Sequence, residues 1–209
     1  MSAKTRIRTA LRIAPVVLVV PTLLWVWTRT VSADAPAQRE RAGERTATER
    51  VARGEYLVST IGCGDCHSPK IMGPEGPIED TSRRLSGHPE GTVLDTPPAL
   101  GSSWIAATSS DLTAWVGPWG ISYTFNLTPD ENTGIGSWSE ETFVQAIKTG
   151  RHMGVSRPIL PPMPWHFYRN LTDEDLSSIY AYLRSIPPVR NRVPLPVAPE
   201  AAFATPAGG

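Results

Sequence analysis

The sequence has few cysteines, few lysines and no apolar run long enough to span a bilayer. Its only two cysteines are Cys63 and Cys66, and the histidines outside this region show no paired spacing, which argues against a four-ligand structural zinc site. The longest apolar run, from Ile13 to Trp27, covers 15 residues, short of the ~20 that cross a bilayer as a helix. Basic and acidic residues number 20 each. Because nothing in this balance indicates a basic binding surface, we expect no nucleic-acid partner.

The two cysteines belong to the segment Cys63-Gly64-Asp65-Cys66-His67. Each thiol can add across one vinyl group of a haem, the two-residue spacer matches the separation of the vinyls, and His67 follows directly to ligate the iron. This spacing is the attachment signature of a c-type haem. The alternatives are a zinc site, a plain disulfide and a redox-active cysteine pair, but the last needs a βαβ surrounding that the following Gly- and Pro-rich stretch does not supply. The motif predicts one covalently attached haem c.

The N-terminal segment has the layout of an export signal. Basic residues precede the apolar run, and every acidic residue follows this segment. Residues 1–33 are predicted to be either a signal peptide cleaved after Ala33 or a membrane anchor through residues 13–27, with Trp25 and Trp27 at the interface. Both alternatives place the haem domain in the periplasm, or on the periplasmic face of the cytoplasmic membrane, where covalent haem attachment in bacteria is completed.

The remaining chain is predicted to contain a linker, one folded domain and a tail. Residues 34–48 are small, polar and charged, which is typical of a flexible linker. Residues 49–193 are long enough for one domain with one core. Residues 194–209 are rich in proline and are predicted to be extended or disordered.

Apolar periodicity predicts three helices in the domain: one leading into Cys63, one from Ser139 or Glu140 to Thr149, and one that Thr172 caps. Gly54 lies on the inward stripe of the first helix, where the missing side chain would let the last helix approach closely. The interval 68–138 is rich in Gly, Pro and Trp. It is predicted to be mostly loop, with at most a short helix at 111–116.

Several short motifs resemble class I cytochromes c, and more narrowly the cytochrome c domains attached to bacterial membrane-bound alcohol, aldehyde and gluconate dehydrogenases. The resemblance covers about residues 53–193 and implies an all-α domain around one covalently attached haem, with long Gly/Pro/Trp-rich loops and crossed first and last helices. The cytochrome subunits of those dehydrogenases carry several haem motifs, whereas this chain has one. The motifs are Asn126-Leu127-Thr128-Pro129-Asp130, Thr133-Gly134-Ile135-Gly136, Gly150-Arg151-His152, Pro162-Met163-Pro164-Trp165 and Tyr182-Leu183.

The second iron ligand decides whether the haem carries electrons or binds small molecules. Met163 is the favoured residue because prolines on both sides restrict its backbone and hold the thioether in place. In the resembled family the ligand methionine also sits in this motif. Met153, His152, His166 and an open site are the alternatives.

Two side chains beside this loop, Trp165 and Arg151, are predicted to bind the haem propionates, with Arg157 as a further candidate. Pro69 is predicted to present its carbonyl to the His67 ring and to fix its orientation. We see no Ser/His/Asp arrangement, no phosphate-binding loop and no paired carboxylates beside a cleft motif. The chain is therefore predicted to have no catalytic residues of its own.

The sequence thus predicts a non-enzymatic, one-haem electron carrier on the periplasmic side, working between a dehydrogenase or quinol-oxidising complex and an oxidase. One alternative is a five-coordinate haem enzyme that acts on peroxide or another small molecule. Another is a non-catalytic electron-transfer subunit of a membrane dehydrogenase complex. Lys70 and Lys148 are the only lysines beyond the N-terminal segment. Because so few lysines could attract an acidic partner, we expect docking to the redox partner to depend weakly on salt.

Overall fold

The computed structural model describes residues 45–203, so the predictions for residues 1–33 and for most of the linker lie outside the described residues. Six α-helices and two small antiparallel sheets occur between residues 45 and 203. No helix in this range combines the length and apolarity needed to cross a bilayer. The helices are α1 (Ala47–Thr60), α2 (Cys63–His67), α3 (Glu140–Thr149), α4 (Trp165–Tyr168), α5 (Asp173–Ser185) and α6 (Pro199–Ala202); the strands are β1 (Lys70–Gly73), β2 (Gly76–Glu79), β3 (Ala107–Thr108), β4 (Ala114–Gly117) and β5 (Gly120–Tyr123).

The three predicted helices correspond to α1, α3 and α5, and each begins at a side-chain cap. At α1 the Thr46 hydroxyl accepts a hydrogen bond from the Glu49 backbone N–H, and the Glu49 carboxylate accepts one from the Thr46 backbone N–H. Ser139 caps α3, which ends at Gly150 in the left-handed conformation. Thr172 caps α5. The predictions of these helices from local sequence are confirmed.

Helices α1 and α5 pack directly against each other at Gly54. A Cβ atom on Gly54 would lie 1.9 Å from the Ser178 carbonyl oxygen and 2.7 Å from the Tyr182 Cβ. The prediction that Gly54 allows a close approach of the last helix is confirmed, and an ion pair of 2.9 Å between Arg53 and Asp175 lies beside the contact. Both helices bury apolar side chains in one core, among them Leu57, Val58, Leu176, Ile179 and Leu183.

Gly54→Ala is expected to lower the free energy of unfolding by about 2 kcal/mol or more. Overpacking of a core costs about 1–3 kcal/mol, and the cost at Gly54 should lie near or above the upper end because the added methyl group would meet the backbone of α5. This cost outweighs the ~1 kcal/mol that alanine gains over glycine as a helix former. Chemical denaturation would measure the change. Gly101→Ala is the matched control, because no atom lies within 4 Å of a Cβ at that position. Equal effects of the two substitutions would contradict the proposed contact.

The prediction of an all-α domain is wrong, because the interval 68–138 contains both sheets. Strands β1 and β2 form a hairpin, and β3, β4 and β5 form the second sheet in that order. Gly76 and Gly120, with φ of +126° and +90°, lie at the two hairpin turns in a conformation that suits glycine. Strands of four residues or fewer are too short to show a clear alternating pattern. Where a short helix was predicted at 111–116, the structure has strand β4 over Ala114–Gly117.

The segment after α5 runs back across the second sheet. The backbones of Val197 and Ile121 exchange two hydrogen bonds of 2.9 Å. The buried Asn191 donates its side-chain amide to the carbonyl oxygens of Ser86 and His88, at 2.7 and 2.8 Å. These bonds connect the C-terminal segment to the second sheet and to the loop that follows β2.

Candidate functional site

A large apolar cleft brings together residues that are distant in the chain. Its atom-free space is about 1300 Å³, a figure that includes the open mouth. Cys63, Cys66, His67 and Met163 all line it. Apolar side chains from the helices complete the lining, among them Ile135, Phe143, Ile147, Leu176 and Ile179.

The His67 ring is buried in this cleft and held by one hydrogen bond. Its Nδ1 lies 2.7 Å from the Phe125 carbonyl oxygen. A carbonyl can only accept, so Nδ1 carries the proton and Nε2 keeps its lone pair for a metal. Burial also lowers the pKa of His67, which keeps the ring neutral. The prediction for Pro69 is wrong, because the Pro69 carbonyl accepts the Asp80 backbone N–H at 2.8 Å instead.

The two cysteines lie on the single turn of α2, which starts after Gly62 in the left-handed conformation. Burial raises the pKa of Cys63 to about 12, and it also raises the pKa of Cys66. A redox-active cysteine pair needs a thiol with a lowered pKa, so this environment argues against that alternative. Among residues 45–203, no three His, Cys, Asp or Glu side chains form a group that could hold a metal ion.

The β1–β2 hairpin and the loop after it hold α2 in place. Lys70 Nζ donates to the carbonyl oxygens of Gly64 and Ser68, at 2.6 and 3.0 Å. The Ser68 hydroxyl donates to Glu79 at 2.5 Å and accepts the Leu85 backbone N–H at 2.9 Å. The hairpin therefore fixes the orientation of the motif, and Lys70 is used for this internal contact.

Met163 lines the cleft, and among the alternative ligands Met153, His152 and His166 only His152 also lines it. The loop before Met163 is fixed to the second sheet, because the Ser122 hydroxyl donates to the Pro161 carbonyl oxygen at 2.6 Å. Met153 is 46% exposed and is not among the lining residues. His152 does line the cleft, and its ring stands edge-on to the rings of Phe125 and Trp138 at 5.2 Å. His166 is exposed and is not among the lining residues.

The two side chains predicted to bind propionates are not among the residues that line the cleft. Trp165 packs on Gly150, where a Cβ would lie 2.3 Å from the indole ring. Arg151 is exposed, and its guanidinium donates to the Ser156 carbonyl oxygen at 2.7 Å.

Arg157 and Trp138 line the cleft in their place. The Arg157 side chain is exposed overall but borders the cleft, where partial burial lowers its pKa. Within the described part of the chain, neither its guanidinium nor the Trp138 indole N–H has a hydrogen-bond partner. These donors can therefore bind a carboxylate of a bound group. The sequence alone favours Trp165 and Arg151, although Arg157 lies six residues before Met163 and Trp138 closely follows the Gly-Ile-Gly motif.

The site fits a covalently attached haem. Two thiols and a neutral imidazole lie on α2, a thioether shares the same cleft, and the lining is apolar enough to enclose a large flat group. The unpartnered donors, Arg157 and Trp138, match the carboxylates that such a group carries.

Comparison with known proteins agrees with this assignment. A cytochrome c family model matches residues 51–187. The fructose dehydrogenase cytochrome subunit of Gluconobacter japonicus is 33% identical over 140 residues, covering 65% of this chain and 22% of that protein. The cytochrome c subunit of the quinone-dependent alcohol dehydrogenase of Gluconobacter oxydans is 27% identical over 157 residues, covering 74% of this chain and 27% of that protein.

A third relative is the gluconate 2-dehydrogenase cytochrome c subunit of Pantoea cypripedii, 32% identical over 143 residues, covering 66% of this chain and 24% of that protein. The matched regions span about a quarter of these relatives' lengths. The family model, however, covers well over half of this chain. The predicted resemblance is confirmed: the chain belongs to the cytochrome c family, as an electron-transfer cytochrome whose cofactor is haem c.

Proposed function

We propose that this protein is a one-haem electron carrier, with the haem attached through Cys63 and Cys66 and its iron ligated by His67 and Met163. The observation that carries the proposal is that these four residues line one apolar cleft. A bound haem supplies a one-electron redox centre there. The occurrence of a single attachment motif in the sequence supports one haem.

The protein's own residues orient and enclose the group. The Phe125 carbonyl fixes the His67 ring through Nδ1, which leaves Nε2 directed away from that bond. The apolar lining keeps water from the site. A methionine as second ligand raises the reduction potential relative to a second histidine, which suits a carrier near the oxidising end of a chain.

The names of the relatives support a dehydrogenase as the electron donor. They are cytochrome subunits of fructose, alcohol and gluconate dehydrogenases. We propose that this chain receives electrons from a dehydrogenase or a quinol-oxidising complex and passes them to an oxidase, on the periplasmic side. The same names favour a second candidate, a non-catalytic subunit bound stably to a membrane dehydrogenase. The two differ in whether the cytochrome copurifies with its donor.

Absorption spectra of the oxidised and reduced protein, with and without carbon monoxide, test the carrier proposal. A carrier with two protein ligands should titrate as a one-electron couple and leave the reduced spectrum unchanged by carbon monoxide. Ready binding of carbon monoxide by the wild type would make the five-coordinate haem enzyme the better interpretation.

Arg157→Gln is expected to lower the reduction potential. A positive charge in the cleft stabilises the less positive, reduced iron and compensates the haem carboxylates. Solvent screens part of this charge, because Arg157 is exposed at the edge of the cleft. Its loss should therefore change the ratio of reduced to oxidised protein at a fixed solution potential by up to about tenfold, or ~59 mV for a one-electron couple. Arg151→Gln, which removes an exposed guanidinium outside the cleft lining, is the comparison. A larger fall in Arg151→Gln would assign the carboxylates to Arg151 instead.

A further inference from the structure

The chain after α5 lies along the outer edge of β5. In the second sheet β5 is the outer strand, paired with β4 on one side. On the other side the Ile121 N–H donates to the Val197 carbonyl oxygen, and the Val197 N–H donates to the Ile121 carbonyl oxygen, each at 2.9 Å. These bonds satisfy backbone groups that an outer strand otherwise leaves to solvent. We call residues 191–199 the strap.

Both ends of the strap are fixed by close contacts. At one end, the buried Asn191 donates its side-chain amide to two backbone carbonyl oxygens of the loop after β2, at 2.7 and 2.8 Å. At the other end, a Cβ atom on Gly120 would lie 2.0 Å from the Val197 carbonyl oxygen, so the two backbones are in direct contact. Between these ends, Pro196 lines the cleft. The strap is therefore a closely packed part of the fold that reaches the site.

The residue of β5 that follows Ile121 holds the loop of Met163. The Ser122 hydroxyl accepts the Trp119 indole N–H at 3.2 Å and donates its own proton to the Pro161 carbonyl oxygen at 2.6 Å. Pro161 lies two residues before Met163. Ser122 is 8% exposed, and it lines the cleft as Met163 does. One residue of β5 thus binds the strap through its backbone, and the next binds the methionine loop through its side chain.

We propose that the strap is a positioning element for Met163, which it holds on the iron through Ile121 and Ser122 of β5. A strand bonded on one side opens more easily than a strand bonded on both, because each hydrogen bond adds to its local stability. When β5 moves, the Ser122 hydroxyl moves with it and the methionine loop loses this anchor. The proposal rests on the proposed function, since it takes Met163 as the iron ligand.

Val197→Pro tests the role of the strap, because proline lacks the N–H that Val197 donates to Ile121. The oxidised protein is mixed with cyanide, which binds the iron only after Met163 has left it. The rate of cyanide binding should rise about tenfold, as the loss of one or two main-chain hydrogen bonds implies. The reduction potential should fall, and the near-infrared sulfur-to-iron band should weaken, while the haem stays on the polypeptide.

Leu195→Pro is the matched control. It places the same residue in the same strap, at a side chain that is 78% exposed and at an N–H that donates no hydrogen bond within residues 45–203. This variant should bind cyanide at the wild-type rate. Equal cyanide rates in the two proline variants would overturn the proposal. A strap with a structural role alone would lower the melting temperature of Val197→Pro and leave the cyanide rate of the folded protein unchanged.

Ser122→Ala decides whether the strap acts through Ser122. This variant removes the bond to Pro161 and should also bind cyanide about tenfold faster than the wild type. Adding Val197→Pro to Ser122→Ala should raise the rate little further, because both changes release the same loop by the same route. Effects that multiply in the double variant would show two independent routes and would overturn the proposed one.

A reciprocal measurement does not depend on the folding of Val197→Pro, because the coupling between two sites acts equally in both directions. Met163→Ala should speed hydrogen exchange at the Val197 amide relative to the wild type. The Asp80 amide, which is bonded to the Pro69 carbonyl oxygen away from β5, should keep its rate. An unchanged rate at Val197 would overturn the proposal. Failure of the proposed function is distinct, since the wild type itself would then lack the near-infrared band.

Discussion

The double variant Cys63→Ala, Cys66→Ala is expected to lose its haem completely on denaturation, whereas the wild type keeps it on the polypeptide. The two thiols lie on one turn of α2 and both line the cleft, so each can form a thioether with one vinyl group. Without the thioethers, only ligation and apolar contacts hold the group, and denaturation abolishes both. A haem-stained denaturing gel measures the difference.

The single variants Cys63→Ala and Cys66→Ala provide the controls. Each retains one thiol and should keep stainable haem in smaller yield. After its haem has been extracted, the double variant should also unfold at a lower temperature than the wild type, because a ligand that binds only the folded state stabilises it. Release of the haem from the wild type by acidic solvent alone would show that the attachment is not covalent.

Met163→Ala is expected to change both the spectrum and the reactivity of the iron. The oxidised wild type should show the weak near-infrared sulfur-to-iron band, and the variant should lack it. Its potential should fall, because methionine favours the reduced state relative to harder ligands. The open position should also bind carbon monoxide or cyanide. Near-infrared absorption and a carbon monoxide titration of the reduced protein are the measurements.

Met153→Ala is the matched control for the ligand assignment. Both methionines lie between α3 and α5, but only Met163 lines the cleft. Met153→Ala should therefore keep the band and remain closed to carbon monoxide. If Met153→Ala loses the band while Met163→Ala keeps it, the ligand is Met153 and the carrier proposal survives. If the band persists in both variants, neither methionine is the ligand.

The sequence by itself determined the features that depend on near neighbours in the chain. The attachment motif occupies five consecutive residues, and the caps at Ser139 and Thr172 act within three residues of themselves. Gly54 was also predicted correctly, because a residue without a side chain on the inward stripe of a helix has a direct steric meaning. These signals need no knowledge of the fold.

The tertiary structure alone decided which distant groups meet. The sheets were missed because their strands are too short to show a period, and the carbonyl on His67 belongs to Phe125, 58 residues away, rather than to the neighbouring Pro69. Arg157 lines the cleft and Arg151 does not, although both lie in the same turn. Side-chain direction and long-range packing set these outcomes, and neither is encoded in the spacing of residue types along the chain.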